Sequence, residues 1–539
     1  MLKRILNGQS STITSAAIII AGASFVSRLI GLARDRILAH YFGAGPIIDA
    51  YYASFKIPDL VYNLLIAGAL TAGFIPTFTK LFDLGDDKNP AWDLASNIIN
   101  ILGLALIFLC GLGIIFAAPL AVIIAPGFAP ANQALVISLT RIMFLSPLLL
   151  GLSMVLGGIL QSLRRFVLYA IAPIFYNLGI IAGAVGLYPI FGPVGLAWGV
   201  ILGALLHLTL QIYGVYDTGY RWRWRFNFKD KATRLVGKRM IPRTLGLAMT
   251  NINAVVVTML ASFLPVGSVA VYNYANNLQW FPIGLIGIPF ALAAFPILSA
   301  AAAKNDEPNF VKTLSATAGQ IIFLIIPASV LIMLLRAQIV RVVLGTGQFD
   351  WVATINTADA LAFFALGLFA QALIPLLARA FYALADTKTP FVISLISELI
   401  SIIAALLLMD SLGVAGLALA SSIGAILNFA LLTIYLRQTT GNLDEAVILP
   451  TLYKIAFAAL VMGLSIQWLK YPLAKIFDQH YLWGILGQGL SAGLVGLFIY
   501  IALCHLLKVP EYLHFKQSFQ RRWLKFVNIE TTESFETKE

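Results

Sequence analysis

The stretch SRLIGLARDR, residues 27–36, sets three arginines and an aspartate inside a long apolar segment. Guanidinium groups keep their charge at any physiological pH, so Arg28, Arg34 and Arg36 enter that segment as cations. A span over 13–42 that starts at one membrane surface near residue 13 puts Arg28 near mid-membrane. A basic residue there costs about 2.5–3.5 kcal/mol on insertion scales. Arg34 and Arg36 lie nearer the far surface, within snorkelling reach. Arg28 and Asp35 are seven residues apart, on one helical face, a spacing that predicts a partial ion pair and leaves Arg34 without one. Arg28 and Arg34 point about 120° apart on an ideal helix. A bend at Gly31 would turn both toward one cavity. A water-filled cavity lined by arginine suits an anionic substrate, because the guanidinium fork matches phosphate oxygens in pairs. Arg141, Arg379 and Lys56 are weaker candidates for the same cavity.

Glu398 in SLISELISII is a second charged residue within an apolar segment. It is a candidate coupling-ion site for Na⁺ or H⁺, with Ser394, Ser397 or Ser401 as neighbours on the helix; a carboxyl bonded to a neighbouring helix is the alternative. Asp386 and Lys388 are expected to pair at a turn. No catalytic constellation is present: there is no HExxH, no GxSxG and no glycine-rich phosphate loop followed by lysine. Cys110 and Cys504 both fall in apolar segments, and the five histidines are scattered, which predicts neither a disulfide nor a metal site.

The elements that hold these residues follow from composition. Of 539 residues, 60% are hydrophobic and 11% charged, less than half the charge of a soluble domain. Apolar runs near the length that crosses a hydrocarbon core recur from end to end, which predicts an all-α polytopic membrane protein of about fourteen spans rather than a barrel. Expected spans include 13–42, 55–80, 240–264, 268–301, 354–384 and 389–410. No small-residue cleavage site follows a short apolar core at the N-terminus, so no removed signal peptide is expected.

With an even span count, 25 Lys and Arg residues fall on the side of the termini and four (Arg336, Arg341, Lys470, Lys475) on the other, seven more lying within spans. That bias predicts cytoplasmic termini. It also accounts for the net charge of +12. RWRWRFNFKDKATRLVGKR at 221–239 interleaves arginine with aromatic residues, a pattern shared by nucleic-acid binders. Between two spans, it reads instead as a membrane-surface loop facing anionic lipid. FKQSFQRRWLKFV at 515–527 reads as a basic amphipathic surface helix.

The chain also repeats itself. GPVGLAWGVILGALLHLTL from 192 and GVAGLALASSIGAILNFAL from 413 match at an offset of 221, which also aligns Tyr51 with Tyr272 and Phe74 with Phe295. Six spans per copy is even, so the copies are parallel. The resulting organisation is an N-lobe at 13–215, a basic cytoplasmic loop at 216–239, a C-lobe at 240–437, two added spans at 450–507 and a basic tail at 508–539. Two parallel lobes are a transporter architecture with substrate held between them. No nucleotide site is found, so energy would come from an ion gradient or the membrane potential.

SRLIGLARD (27–35) followed by FGAGPIIDAYYASFKIPDL (42–60) resembles the opening signature of the MurJ/MviN family of lipid II flippases. APGF (125–128), GTGQFD (345–350) and DTKTP (386–390) are similar to further family motifs. The resemblance implies a fourteen-helix fold of the multidrug/oligosaccharidyl-lipid/polysaccharide exporter superfamily in the bacterial cytoplasmic membrane. It also implies outward movement of the lipid-linked peptidoglycan precursor, and the cell-wall synthesis machinery as partner. By resemblance, Arg28 and Arg34 meet the substrate diphosphate and Asp49 takes part in gating. Where many members carry an arginine pair and a nearby glutamate, this chain has Tyr62, Asn63 and Ala67. Where an Asp-Arg pair and a glutamate are common, it has Asn276, Asn277 and Trp280. Asn277 is the candidate neutral donor to the diphosphate. Two alternatives stay open: a flippase for another polyprenyl-diphosphate-linked oligosaccharide, and a non-transporting envelope scaffold.

Overall fold

The computed structural model describes residues 13–64, 73–84, 87–513 and 515–516, without the side chains of 13–18, 84, 241–250 and 447. Among the described residues there is no strand. In chain order the first helices are α1 (Ile13–Phe42), α2 (Pro46–Tyr62), α3 (Ile75–Leu84), α4 (Asn89–Ile115), α5 (Ala117–Ile124) and α6 (Pro130–Met143). Then come α7 (Leu145–Ser162), α8 (Phe166–Ala182), α9 (Tyr188–Phe191), α10 (Val194–Tyr216), α11 (Lys231–Ser262) and α12 (Ser268–Pro282). The rest are α13 (Ile288–Ala303), α14 (Glu307–Leu334), α15 (Arg336–Val343), α16 (Trp351–Ala383), α17 (Lys388–Leu412), α18 (Val414–Thr440), α19 (Glu445–Ile476) and α20 (Leu482–Leu506). Eleven of the described helical stretches are long and apolar enough to cross a membrane. Expected spans one, two and seven coincide with α1, with α2 and α3, and with α11.

Local chemistry sets the helix ends. Proline stands in the first turn of α2, α4 and α6, where no N–H is needed. Asp230 caps α11 by accepting from the Thr233 N–H at 2.8 Å, and Asp306 caps α14 through Asn309 at 3.1 Å. Asp386, expected to pair with Lys388 at a turn, accepts from the backbone N–H groups of Lys388 and Thr389 at 2.9 and 3.0 Å and so caps α17.

The repeat returns as backbone geometry. Arg164 and Ala385, 221 apart, are both left-handed (φ 59° and 60°), as are Gly192 and Gly413 (62° and 58°). A Cβ on Gly195 would meet Leu187, and one on Gly416 would meet Leu408, again 221 later. Gly203 faces the Tyr176 carbonyl as Gly424 faces that of Ser397. In the first copy the approach is closest: Gly179 lies on Gly203 and Gly183 on Gly199, so α8 and α10 touch backbone to backbone. Small residues four apart allow that approach where lipid supplies no hydrophobic drive.

By contact the chain forms two compact units. One runs to Ala275 and includes Val343–Thr357 and Ile402–Leu417; the other comprises Asn276–Val342, Ala358–Ser401 and the chain from Ala418. This division differs from the lobes expected from the repeat, since α11 and the first half of α12 belong with the N-terminal unit. In that unit Phe74, Phe78, Leu94, Leu156 and Tyr220 centre a core. In the other, α19 and α20 pack on α14, with the Tyr500 hydroxyl donating to the Phe323 carbonyl at 2.7 Å. Cys110 and Cys504 are buried free thiols.

Two boundaries move. The second span begins at Pro46 rather than 55, and α11 takes up residues 231–239 of the expected loop. Ala67, and the surface helix expected at 515–527 beyond residue 516, lie outside the described residues.

Candidate functional site

Three sequence motifs converge within the N-terminal unit. Gly43 (φ 59°), Gly267 (φ 94°) and Gly347 (φ 58°) are all left-handed. A Cβ on any of them would overlap a carbonyl of another loop: Gln348 for Gly43, Ala44 for Gly267, His40 for Gly347. Only glycine fits both the dihedral and the approach. The Gln348 N–H donates to the His40 carbonyl at 2.9 Å, and His40 Nδ1 lies 2.9 Å from Thr346 Oγ1. Thus FGAGP, at the end of α1, and GTGQFD, before α16, form one latch. APGF behaves alike: the Gly127 N–H donates to Ser262 Oγ at 3.1 Å, and a Cβ there would overlap the Ser262 carbonyl.

Asp49, near the start of α2, closes the latch. Its carboxylate is 1% exposed and accepts from the backbone N–H groups of Gly267 (2.6 Å) and Ala270 (2.7 Å). It therefore caps α12 from another helix, where the helix dipole favours an anion. Beneath it Tyr51, Tyr52, Tyr274 and Phe349 form a chain of edge-on rings, with centroids 5.6, 5.7 and 5.8 Å apart. The Tyr52 hydroxyl is buried without a partner among the described residues.

Arg34 lies under two turns before the latch on α1. Its Nε and Nη2 donate to Asp35 Oδ1 at 3.0 and 2.8 Å, and its Nη1 donates to Asn177 Oδ1 at 3.0 Å. Arg34, which the spacing leaves without a partner, therefore has one: its guanidinium stem folds back on its own neighbour, which helical-face spacing does not register. Asn177 in turn donates to the Pro173 carbonyl at 3.1 Å, so α8 fixes the fork's orientation. Arg28 is half-exposed on the same helix, and Arg36 donates to the Val343 carbonyl at 3.3 Å. Lys56, the weakest candidate in the sequence, donates to Asn273 at 3.0 Å, joining α2 to α12. Nothing in the sequence marked Asn177 or Asn273; Tyr51 was marked, through its repeat partner.

Asn277 and Glu398 belong to the other unit. Glu398 is half-buried; of its serine neighbours, Ser401 donates to the Ala420 carbonyl at 3.1 Å and Ser394 accepts from Asn428 at 3.3 Å. Arg379 donates to the Pro375 carbonyl at 2.9 Å, and Arg141 is exposed. Among the described residues no three His, Cys, Asp or Glu side chains gather closely enough to hold a metal ion.

Eleven described apolar helices long enough to cross a membrane, a 221-residue repeat, the Arg34 cluster and a glycine latch define a multi-pass membrane protein of transporter fold. The profile of a family described as "Lipid II flippase MurJ" matches residues 38–486. The probable lipid II flippase MurJ of Rickettsia prowazekii is 30% identical over 509 residues, covering 93% of this chain and 99% of its own. The lipid II flippase MurJ of Burkholderia cenocepacia is 30% identical over 462 residues, 84% and 89% of the two chains. A solved structure of a lipid II flippase MurJ, in an inward closed conformation, superposes with a TM-score of 0.73 at 24% identity, covering 94% of this chain and all of that one. An inward-facing multidrug MATE transporter gives 0.66 at 16% identity, over 80% and 99%. The chain belongs to the lipid II flippase MurJ family.

Proposed function

We propose that this chain carries lipid II, the lipid-linked peptidoglycan precursor, from the inner to the outer leaflet of the bacterial cytoplasmic membrane by alternating access. Family membership over residues 38–486 supports the substrate. The supporting feature within the chain is Arg34, whose side chain is 23% exposed and held in orientation by Asp35 and Asn177. Those bonds use three of the five guanidinium N–H groups and leave two for a diphosphate.

In this reading Arg28 and Arg34 grip the diphosphate and Asn277 adds a neutral hydrogen bond. The Asp49 latch is the outward gate. Both termini are cytoplasmic in this reading, which the Lys/Arg bias supports. Membrane potential, or Na⁺ or H⁺ at Glu398, resets the cycle, and the product passes to the cell-wall synthesis machinery. A second reading, another polyprenyl-diphosphate-linked oligosaccharide, is favoured by one contact. Asn63 donates to Asn251 at 2.9 Å, a neutral pair where the family pattern has arginine.

The test is complementation of a flippase-depleted bacterium with wild type and Arg28→Ala, with membrane expression checked and precursor exposure assayed from outside. Rescue by wild type alone supports both substrate and arginine role. Rescue by both variants removes Arg28 from the mechanism. Failure of well-expressed wild type selects the second reading.

A further inference from the structure

Residues 220–228 are held on α4 by a row of polar side chains. Asn97 donates to the Asn227 carbonyl at 2.9 Å and accepts from its N–H at 2.7 Å; Asn100 donates to the Arg223 and Arg225 carbonyls at 2.9 and 3.0 Å. Trp222 Nε1 donates to Asn100 Oδ1 at 2.9 Å, and Ser96 bonds the Tyr220 hydroxyl at 3.0 Å. This clamp sorts the three arginines. Arg223 and Arg225 both pair with Asp93, whereas Arg221 makes no ion pair among the described residues and lies over the Tyr216 ring at 5.1 Å.

Arg221, Tyr216 and Trp222 also rim a cavity of about 390 Å³. Its floor is Ile99, Leu152, Leu156, Leu208 and Ile212, from α4, α7 and α10. The volume lies within the roughly 300–1,000 Å³ of ligand clefts. Arg221 Nη1 donates to the Tyr220 carbonyl at 3.2 Å, which leaves its charge without an anionic partner among the described residues. An apolar floor with that guanidinium and two aromatic rings beside it has the chemistry of a lipid chain below and a phosphate above.

We propose that this groove holds one anionic glycerophospholipid, an acyl chain on the α4–α7–α10 floor and its phosphate on Arg221. The site is separate from the arginines of α1 and stands whether or not the transport reading holds. Native mass spectrometry of the full chain in detergent, with equal phosphatidylglycerol and phosphatidylcholine of matched chains, tests it. Wild type retains one phosphatidylglycerol in preference. Arg221→Gln loses that preference by about fivefold, the ratio equivalent to about 1 kcal/mol per basic residue near an anionic surface. Lys229→Gln, an exposed charge in the same loop, keeps it. Ile212→Trp, which fills the groove, loses lipid of either headgroup. No preference in wild type, retention in Arg221→Gln, equal loss in Lys229→Gln, or full binding by Ile212→Trp would each overturn the proposal.

Discussion

Asp49 accepts a hydrogen bond at 2.7 Å from the N–H of Ala270, the residue 221 positions later and therefore its own counterpart in the repeat. Equivalent positions of the two copies are thus in contact, where the starts of α2 and α12 come together. One copy carries a carboxylate at that position and the other a methyl group, which converts a symmetric contact into a cap. At this point of the latch the contact rests on one carboxylate and the backbone N–H groups of Gly267 and Ala270.

Asp49→Ala removes the acceptor and leaves two buried N–H groups unsatisfied, each costing about 1–3 kcal/mol. The latch is expected to open while the rest of the N-terminal unit holds. A single cysteine placed at Ala44 then reacts faster with an impermeant maleimide than it does beside intact Asp49, with Cys110 and Cys504 buried in both. Asp49→Asn, which keeps one acceptor oxygen, falls between the two. Equal labelling in all three would remove Asp49 from the latch.

Gly267→Ala and Gly347→Ala are expected to abolish activity in complementation. Each forces a left-handed alanine, at about 1–2 kcal/mol, and drives a methyl group into the carbonyl of Ala44 or His40. Gly441→Ala is the control: its φ is 67°, and no atom lies within 4 Å of the added carbon. It pays the dihedral cost alone and retains activity. Loss in all three would point to backbone strain rather than latch closure.

Much of this was legible before the structure. The fold class and the 221-residue repeat follow from apolar length and a self-match, because membrane helices announce themselves by composition. The latch glycines stood in the motifs FGAGP and GTGQFD, yet nothing local said that these motifs touch, since they lie some 300 residues apart. Asn177 carried no mark, because an asparagine on an apolar helix is defined only by what it faces. Helical-face spacing left Arg34 without a partner, since it treats side chains as spokes and ignores how far an arginine folds back. Val343–Thr357 falls in the N-terminal unit with α1, to which Val343, Thr346 and Gln348 are bonded through Arg36 and His40.

The α8–α10 contact gives a stability prediction independent of transport. Gly179→Val puts a branched side chain into the Gly203 backbone, and no rotamer relieves a clash that begins at Cβ. The helices must separate, forfeiting the packing that holds them in lipid. Gly186→Val, with no atom within 4 Å of the added carbon, leaves this interface alone. Thermal unfolding in detergent is expected to fall by many degrees for Gly179→Val and little for Gly186→Val. Similar midpoints would show that α8 and α10 are not held by this approach.

The Arg34–Asp35 pair separates two roles for the arginine. If Arg34 served only to neutralise Asp35, then Arg34→Gln would be harmful through a carboxylate left 3% exposed without its cation. Adding Asp35→Asn would then restore both folding and rescue. If Arg34 also grips an anionic substrate, the double variant regains thermal stability, since neither charge is left buried alone, but does not regain rescue. Arg34→Lys sharpens the distinction: an ammonium keeps the charge and one bond to Asp35 but cannot reach Asp35 and Asn177 while offering a planar fork to phosphate. The expected result is near-normal stability with at least tenfold weaker precursor exposure in Arg34→Lys, and stability without rescue in the double variant. Full rescue by the double variant would assign Arg34 to structure alone and leave the grip to Arg28.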